Sequence, residues 1–276
     1  MNSPAQSADR SPRHSSRLAM DEEQSLARAL IYRFIAAGYR YPEGAVPSAM
    51  DGARQAVSEA LAVLHDSSDQ RLSEHQGRMV HVAKKSTSAE LEQEYVSLFS
   101  HSIQGLCPLY GAEYAESDER LQQPHELSDL LAFYRAFGLK LNEGIHERVD
   151  FISVQSDFMA FLCAKQAYAQ EQKDAALAEI AVDAQQKFLH DHLGRWAPAL
   201  ARRMIDHSND DSFYNALGHF TLAYVIGDCQ LLGVKPGKEH LKLRLPLSEE
   251  DACLNCPMAS ENAEADSELT SPSEVL

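Results

Sequence analysis

Glu94-Tyr95-Val96-Ser97-Leu98-Phe99-Ser100-His101-Ser102-Ile103-Gln104-Gly105-Leu106-Cys107-Pro108-Leu109-Tyr110-Gly111-Ala112-Glu113-Tyr114 begins as a helix and ends as something else. Leu91, Tyr95, Leu98 and Phe99 recur at i, i+4, i+7 and i+8, one stripe of a helix, and Thr87 with Glu90 supplies its start signal. After Phe99 the period stops. Gly105 admits unusual backbone angles and Pro108 removes a donor, yet Cys107, Leu109, Tyr110 and Tyr114 stay bulky where a surface loop is normally polar. An apolar, aromatic loop fed by a helix either packs onto the body or receives a partner.

Working outward, every periodic segment reads as helix. Upstream, helices are expected over about 21–37 (Leu26, Leu30, Phe34 and Ala37 on one face), 48–64 and 69–83, the last with so thin an apolar side that it belongs at the periphery. Downstream, Pro124 opens a helix that Gly138 stops. A strongly apolar one follows from Asp150 to about Gln172, with Asp150 a candidate N-cap, and its hydrophobicity predicts the centre of a bundle. Another covers about 174–193 through Leu177, Ile180, Ala184, Phe188 and Leu189. Trp196 and Pro198 mark a corner before a short helix, and the last long helix, about 211–232, turns Leu217, Phe220, Tyr224 and Leu231 inward and stops at Gly233. Only Lys242–Leu247 hints at a strand. The expectation is all-α: a single bundle-like domain of about eight to ten helices over 21–233, between a disordered tail at 1–20 and an extended C-terminal tail at 234–276.

A chain of 276 residues with 44% hydrophobic content can bury a sizeable core. It has no apolar run of membrane-spanning length, and residues 1–19 lack the apolar region of a secretory signal, so a cytoplasmic location is expected. The formal charge of −16 argues against a nucleic-acid binder and favours a basic partner. Five cysteines spread along the chain do not read as a disulfide framework, and Cys163 and Cys229 read as core.

Enzymatic signatures are missing. The only Glu-x-x-His pair, Glu143 and His146, falls in a probable linker; His190 and His192 project from different sides of a helix. There is no Gly-x-Ser-x-Gly elbow and no phosphate loop. Cys107, with His101 and His125 near in sequence, reads as packing rather than as a nucleophile. Cys253-x-x-Cys256 stays open between a bare surface pair, half of a metal site and a redox pair.

Three blocks carry a resemblance. Glu94-Tyr95-x-x-Leu98-Phe99 followed by Pro108-x-Tyr110-x-x-x-Tyr114, then Glu147-Arg148-Val149-Asp150-Phe151 leading into Asp157-Phe158, then Phe188-Leu189-x-Asp191-His192-Leu193-x-x-Trp196-x-Pro198, together resemble the TorD/DmsD/NarJ family of molybdoenzyme maturation chaperones. The chain departs from the family where Gly111-Ala112 replaces a frequent Glu-Ser, and where Val149-Asp150-Phe151 replaces Pro-Asp-His. The resemblance implies a non-enzymatic cytoplasmic chaperone, a monomer or homodimer. Its partner would be the apo catalytic subunit of a molybdenum-containing oxidoreductase, with its twin-arginine leader. Transient contact with molybdenum cofactor or a nucleotide is compatible with it. The partner-binding residues expected are Glu94, Tyr95, Leu98, Phe99, Pro108, Tyr110, Glu113, Tyr114, Glu147, Arg148, Asp150 and Phe151: an acidic rim on aromatic walls, which suits arginines beside an apolar stretch. Two other readings are a helical adaptor for an unrelated partner and a small metal or redox protein built on Cys253 and Cys256.

Overall fold

The computed structural model describes residues 20–42, 46–64, 70–99, 105–115, 122–139 and 147–244. Of the expected tails at 1–20 and 234–276, residues 1–19 and 245–276 lie outside the described residues, as do Glu143, His146, His101 and the Cys253/Cys256 pair. The chain divides into one unit through Leu243 and a second from Arg244 onward; only the first is treated below.

Nine α-helices run through the described residues: α1 Glu22–Gly38, α2 Val46–Leu64, α3 Gln70–Lys85, α4 Ser88–Phe99, α5 Gln122–Ala136, α6 Ile152–Glu171, α7 Ala175–Asp191, α8 Leu193–His207 and α9 Phe213–Leu231. The fold is all-α. Adjacency closes on itself: α1 packs on α2 and α6, α6 on α7, α7 on α8, α8 on α9, α9 on α3, and α3 on α2. The start signals operate as expected. Asp21 and Gln24 form a reciprocal capping box on α1, Thr87 and Glu90 one on α4, and Asp174 and Ser212 cap α7 and α9. Gly138 and Gly233 end their helices with φ of 74° and 66°, which glycine adopts without a Cβ clash.

Several inward faces differ from expectation, each because polar groups were taken for surface. On α1, Leu26 is exposed and the buried side carries Arg28 instead. Arg28 makes a two-point contact with Asp228 of α9 (2.6 and 2.9 Å) and donates to Gln185 of α7, while Tyr32 also donates to Asp228. On α7, Leu177 and Ile180 face outward while Ala178, Ala181, Val182 and Gln185 face in; on α9 Leu231 is exposed. Helix α3 is not peripheral: Leu72, Met79, Val80 and Ala83 are buried. Its stripe was masked by Gln76, which accepts from Ser58 and donates to the Arg54 carbonyl.

Trp196 and Pro198 mark no corner; both lie inside α8, and the chain breaks earlier, at His192 (φ −126°, ψ −100°). A proline in a helix leaves the carbonyl four residues back without its partner. Here that carbonyl, of Gly194, accepts from the Gly237 N–H at 2.9 Å. The returning segment then forms β2, Lys242–Leu243, antiparallel to β1, Tyr114–Ala115, with Tyr114 opposite Leu243. β2 falls at the start of the expected Lys242–Leu247 stretch, of which residues 245–247 lie outside the described residues.

Candidate functional site

The loop 105–115 is held at four levels. Its backbone docks on α4, where the Cys107 N–H donates to the Leu98 carbonyl, and on the turn before α6, where Gly111 N–H donates to Asp150 O and Ile152 N–H to Leu109 O. These last two bonds frame an antiparallel bridge between Tyr110 and Phe151. Tyr114 is fully buried, donates to the Pro108 carbonyl at 2.8 Å and stacks on the Trp196 ring at 5.2 Å. Trp196 donates to Gln155, and Gln155 donates to the Asp150 carbonyl.

Glycine at 111 has a steric cause. A Cβ there would lie 2.7 Å from Trp196 Nε1, closer than such atoms come. The neighbouring Ala112 N–H donates to Asp150 Oδ2 at 2.9 Å. Asp150 is therefore not the N-cap of α6; Phe151 holds that position without a side-chain bond. The Asp150 carboxylate, 3% exposed, instead points to Ala112 and to Arg148, which grips it from Nε and Nη2 at 3.0 and 2.9 Å. A third guanidinium nitrogen, Nη1, reaches Glu113 at 2.9 Å, and the guanidinium carbon sits 4.6 Å from the Tyr110 ring centroid.

The expected acidic rim thus divides. Glu94, half-buried, faces the start of α9; burial pushes its carboxyl upward, and Ser212 with the backbone of Phe213 and Tyr214 offsets part of that rise, while its Oε1 has no hydrogen-bond partner among the described residues. Glu113 and Asp150 hold Arg148. Glu147 is exposed, and its charge is felt by Tyr110. Burial, followed by the Glu147 charge, raises the phenols of both Tyr95 and Tyr110.

The aromatic members also separate. Leu98, Tyr114 and Phe151 are core, and Phe99 packs edge-on to Tyr214. Tyr95 and Tyr110 remain half-buried at the surface. Two residues not anticipated complete the arrangement: Gln155, which links Trp196 to the loop, and Tyr41, 43% exposed and edge-on to Tyr95 at 5.2 Å. Tyr41 follows the end of α1 in the run Gly38-Tyr39-Arg40-Tyr41-Pro42, an aromatic-rich turn whose composition was the available signal. Glu147 and the phenols of Tyr110 and Tyr41 all act on Tyr95, so elements distant in sequence converge on one exposed patch.

Burial holds the Cys107 thiol up at about 12, where it is protonated and a poor nucleophile. No group of three or more His, Cys, Asp or Glu among the described residues is placed to hold a metal, and no described helix is long and apolar enough to cross a membrane.

Comparison with known proteins bears on the same region. Residues 51–202, more than half of the chain, match the family model described as nitrate reductase delta subunit. The chain is similar to the chaperone protein TorD of Vibrio cholerae serotype O1 (strain M66-2), 28% identical over 148 residues. That match covers 52% of this chain and 63% of the relative, so less than two thirds of the relative's length is spanned. It is also similar to the perchlorate reductase assembly chaperone protein of Dechloromonas aromatica (strain RCB), 28% identical over 199 residues, covering 71% of this chain and 85% of that one.

Proposed function

Because the chain belongs to the nitrate reductase delta subunit family, which includes the TorD and NarJ chaperones, we propose that it is an assembly chaperone for the catalytic subunit of a molybdenum-containing oxidoreductase. It acts in the cytoplasm and makes or breaks no covalent bond. It binds the apo subunit at its twin-arginine leader, withholds it from export and keeps it open for cofactor insertion. What supports this reading, beside the relatives' names, is the exposed Glu147 set against the half-buried rings of Tyr95 and Tyr110.

Arginine side chains of the leader approach Glu147 and the aromatic faces, and the leader's apolar stretch covers the adjoining rings. Arg148, fixed by Asp150 and Glu113, holds the Tyr110 ring in place from behind. Exposed charges make such binding sensitive to salt. The test is a tagged pull-down from the native host grown anaerobically, with bound proteins identified by mass spectrometry. A molybdoenzyme precursor with its leader intact is the expected catch. An unrelated protein, recovered while that enzyme is expressed, would make the chain an adaptor instead.

A further inference from the structure

Helix α3 meets α9 through a pair of histidines. The rings of His75 and His219 are stacked, with centroids 5.1 Å apart and planes within 11° of parallel, and both are half-buried. One turn along each helix, Arg78 donates to the Asn215 side chain at 3.2 Å across the same interface. The stack is no chelate: a metal lies in the plane of each imidazole that binds it, and two stacked, nearly parallel planes do not meet within bonding reach. The surroundings are basic. His219 faces His75 and Arg78 from α3, Arg202 from α8, and the acidic Asp210 from the turn before α9. Arg202 is itself held by Glu239. On α3, Arg71 and Arg78 stand one turn before and one turn after His75. Burial first, then His75, Arg78 and Arg202, disfavour a proton on His219, and Asp210 offsets part of that effect.

We propose that the His75–His219 stack is a pH-sensitive latch between α3 and α9, shut while the rings are neutral and released as both take up protons. One protonated ring still stacks on a neutral one. Two repel each other, beside Arg78 and Arg202. The sign follows from linkage. A released histidine, with its ordinary value near 6.5, binds a proton more readily than a stacked one, so the latch holds fully above about pH 6.5 and weakens as pH falls. The consequence reaches the aromatic face. Asn215, the acceptor of Arg78, follows Tyr214, whose ring meets Phe99 at 5.2 Å and Tyr95 at 5.9 Å. Acid release of α3 therefore loosens the support behind Tyr95. The latch stands independently of the chaperone reading.

Hydrogen exchange of the full chain at pH 7.5 and 5.5, followed by mass spectrometry and corrected for the intrinsic rate, reads the latch through the amides of α3. Their protection is expected to fall by about three- to tenfold more than that of α6; about tenfold is what one histidine supplies when it is released at pH 5.5 with its ordinary value. His75→Phe keeps a ring against His219 but removes one titrating partner, and should abolish most of the extra loss; His219→Phe makes the same check from α9. Equal losses in α3 and α6 overturn the latch, because the acid sensitivity is then global, as titration of His192 would make it. An extra loss in α3 that both variants retain overturns it as well. A second measurement requires no variant to fold: the Hε1 resonances of His75 and His219 in the wild-type chain should titrate as a coupled pair, the second proton entering at clearly lower pH than the first. Two independent single-step titrations refute the latch.

Discussion

Arg148 and Asp150, two residues apart, grip each other through both carboxylate oxygens, and the same carboxylate receives the Ala112 N–H from the loop. The pair therefore fixes the start of α6, the loop and, through the stacking of Arg148, the orientation of Tyr110. Removing the carboxylate leaves two guanidinium donors and a backbone donor without their acceptor, with Glu113 the acceptor that remains to Arg148. Asp150→Ala is expected to cost about 2–4 kcal/mol, less than a fully buried pair because Arg148 is partly exposed. Asp150→Asn, which can still accept from Ala112, should cost less. Urea unfolding of the three proteins checks the order, and binding losses in Asp150 variants must be read against it.

Gly111→Ala places a methyl group against the Trp196 indole. The contact involves the interior of a packed ring stack, so accommodation requires the loop to lift. A loss of about 1–3 kcal/mol is expected. Trp196 is the chain's one tryptophan, so its emission should also shift; an unchanged spectrum and midpoint would show that the loop yields freely.

Arg28 and Asp228 form the buried ion pair between α1 and α9. Asp228→Leu or Arg28→Met alone should destabilise by about 3–5 kcal/mol, since each leaves a buried charge behind. The double replacement Arg28→Met with Asp228→Leu should recover much of that loss. A double-mutant cycle by chemical denaturation supplies the measurement.

His192 is buried, and desolvation lowers its pKa from 6.5 to about 4 despite the nearby Asp129 and Asp191. A depressed histidine binds its proton more readily when unfolded. Its stability contribution is complete above about pH 6.5 and declines as pH falls towards 4, with a slope of at most about 1.4 kcal/mol per pH unit. His192→Leu should flatten the stability profile within that window relative to wild type. Parallel profiles would place the histidine's proton equilibrium elsewhere.

Cys107, Cys163 and Cys229 are buried, and burial raises all three thiols to about 12. Alkylation followed by peptide mapping should find these three unlabelled in the native protein and labelled in denaturant.

Periodicity was enough to read the helices, because their starts and stops rest on local chemistry: Asp21 with Gln24, Thr87 with Glu90, Gly138 and Gly233. It failed on inward faces where a polar residue is satisfied by a distant partner. Arg28 is inside because Asp228 and Gln185 both meet its guanidinium, and no window of sequence joins positions 28, 185 and 228. Gln76 hid the apolar side of α3 for the same reason. At the candidate site, the loop tyrosines and the Glu147–Asp150 segment were legible as a set. Their partition was not, since whether a carboxylate is open or occupied depends on which cation the fold delivers. Tyr41 was missed because a turn carries no period, and only the aromatic-rich composition of Gly38–Pro42 marked it.

The join between α1 and α9 spans 200 residues of chain. During synthesis the first helix emerges long before Asp228 exists, so its arginine must remain hydrated, or find a temporary counter-ion, until α9 is made. Such long-range closure is slow relative to local helix formation. Tyr41 lies just beyond the end of α1, so its final placement waits on one of the last helices to leave the ribosome. A nascent chain should therefore acquire this aromatic face late, and nearly all at once.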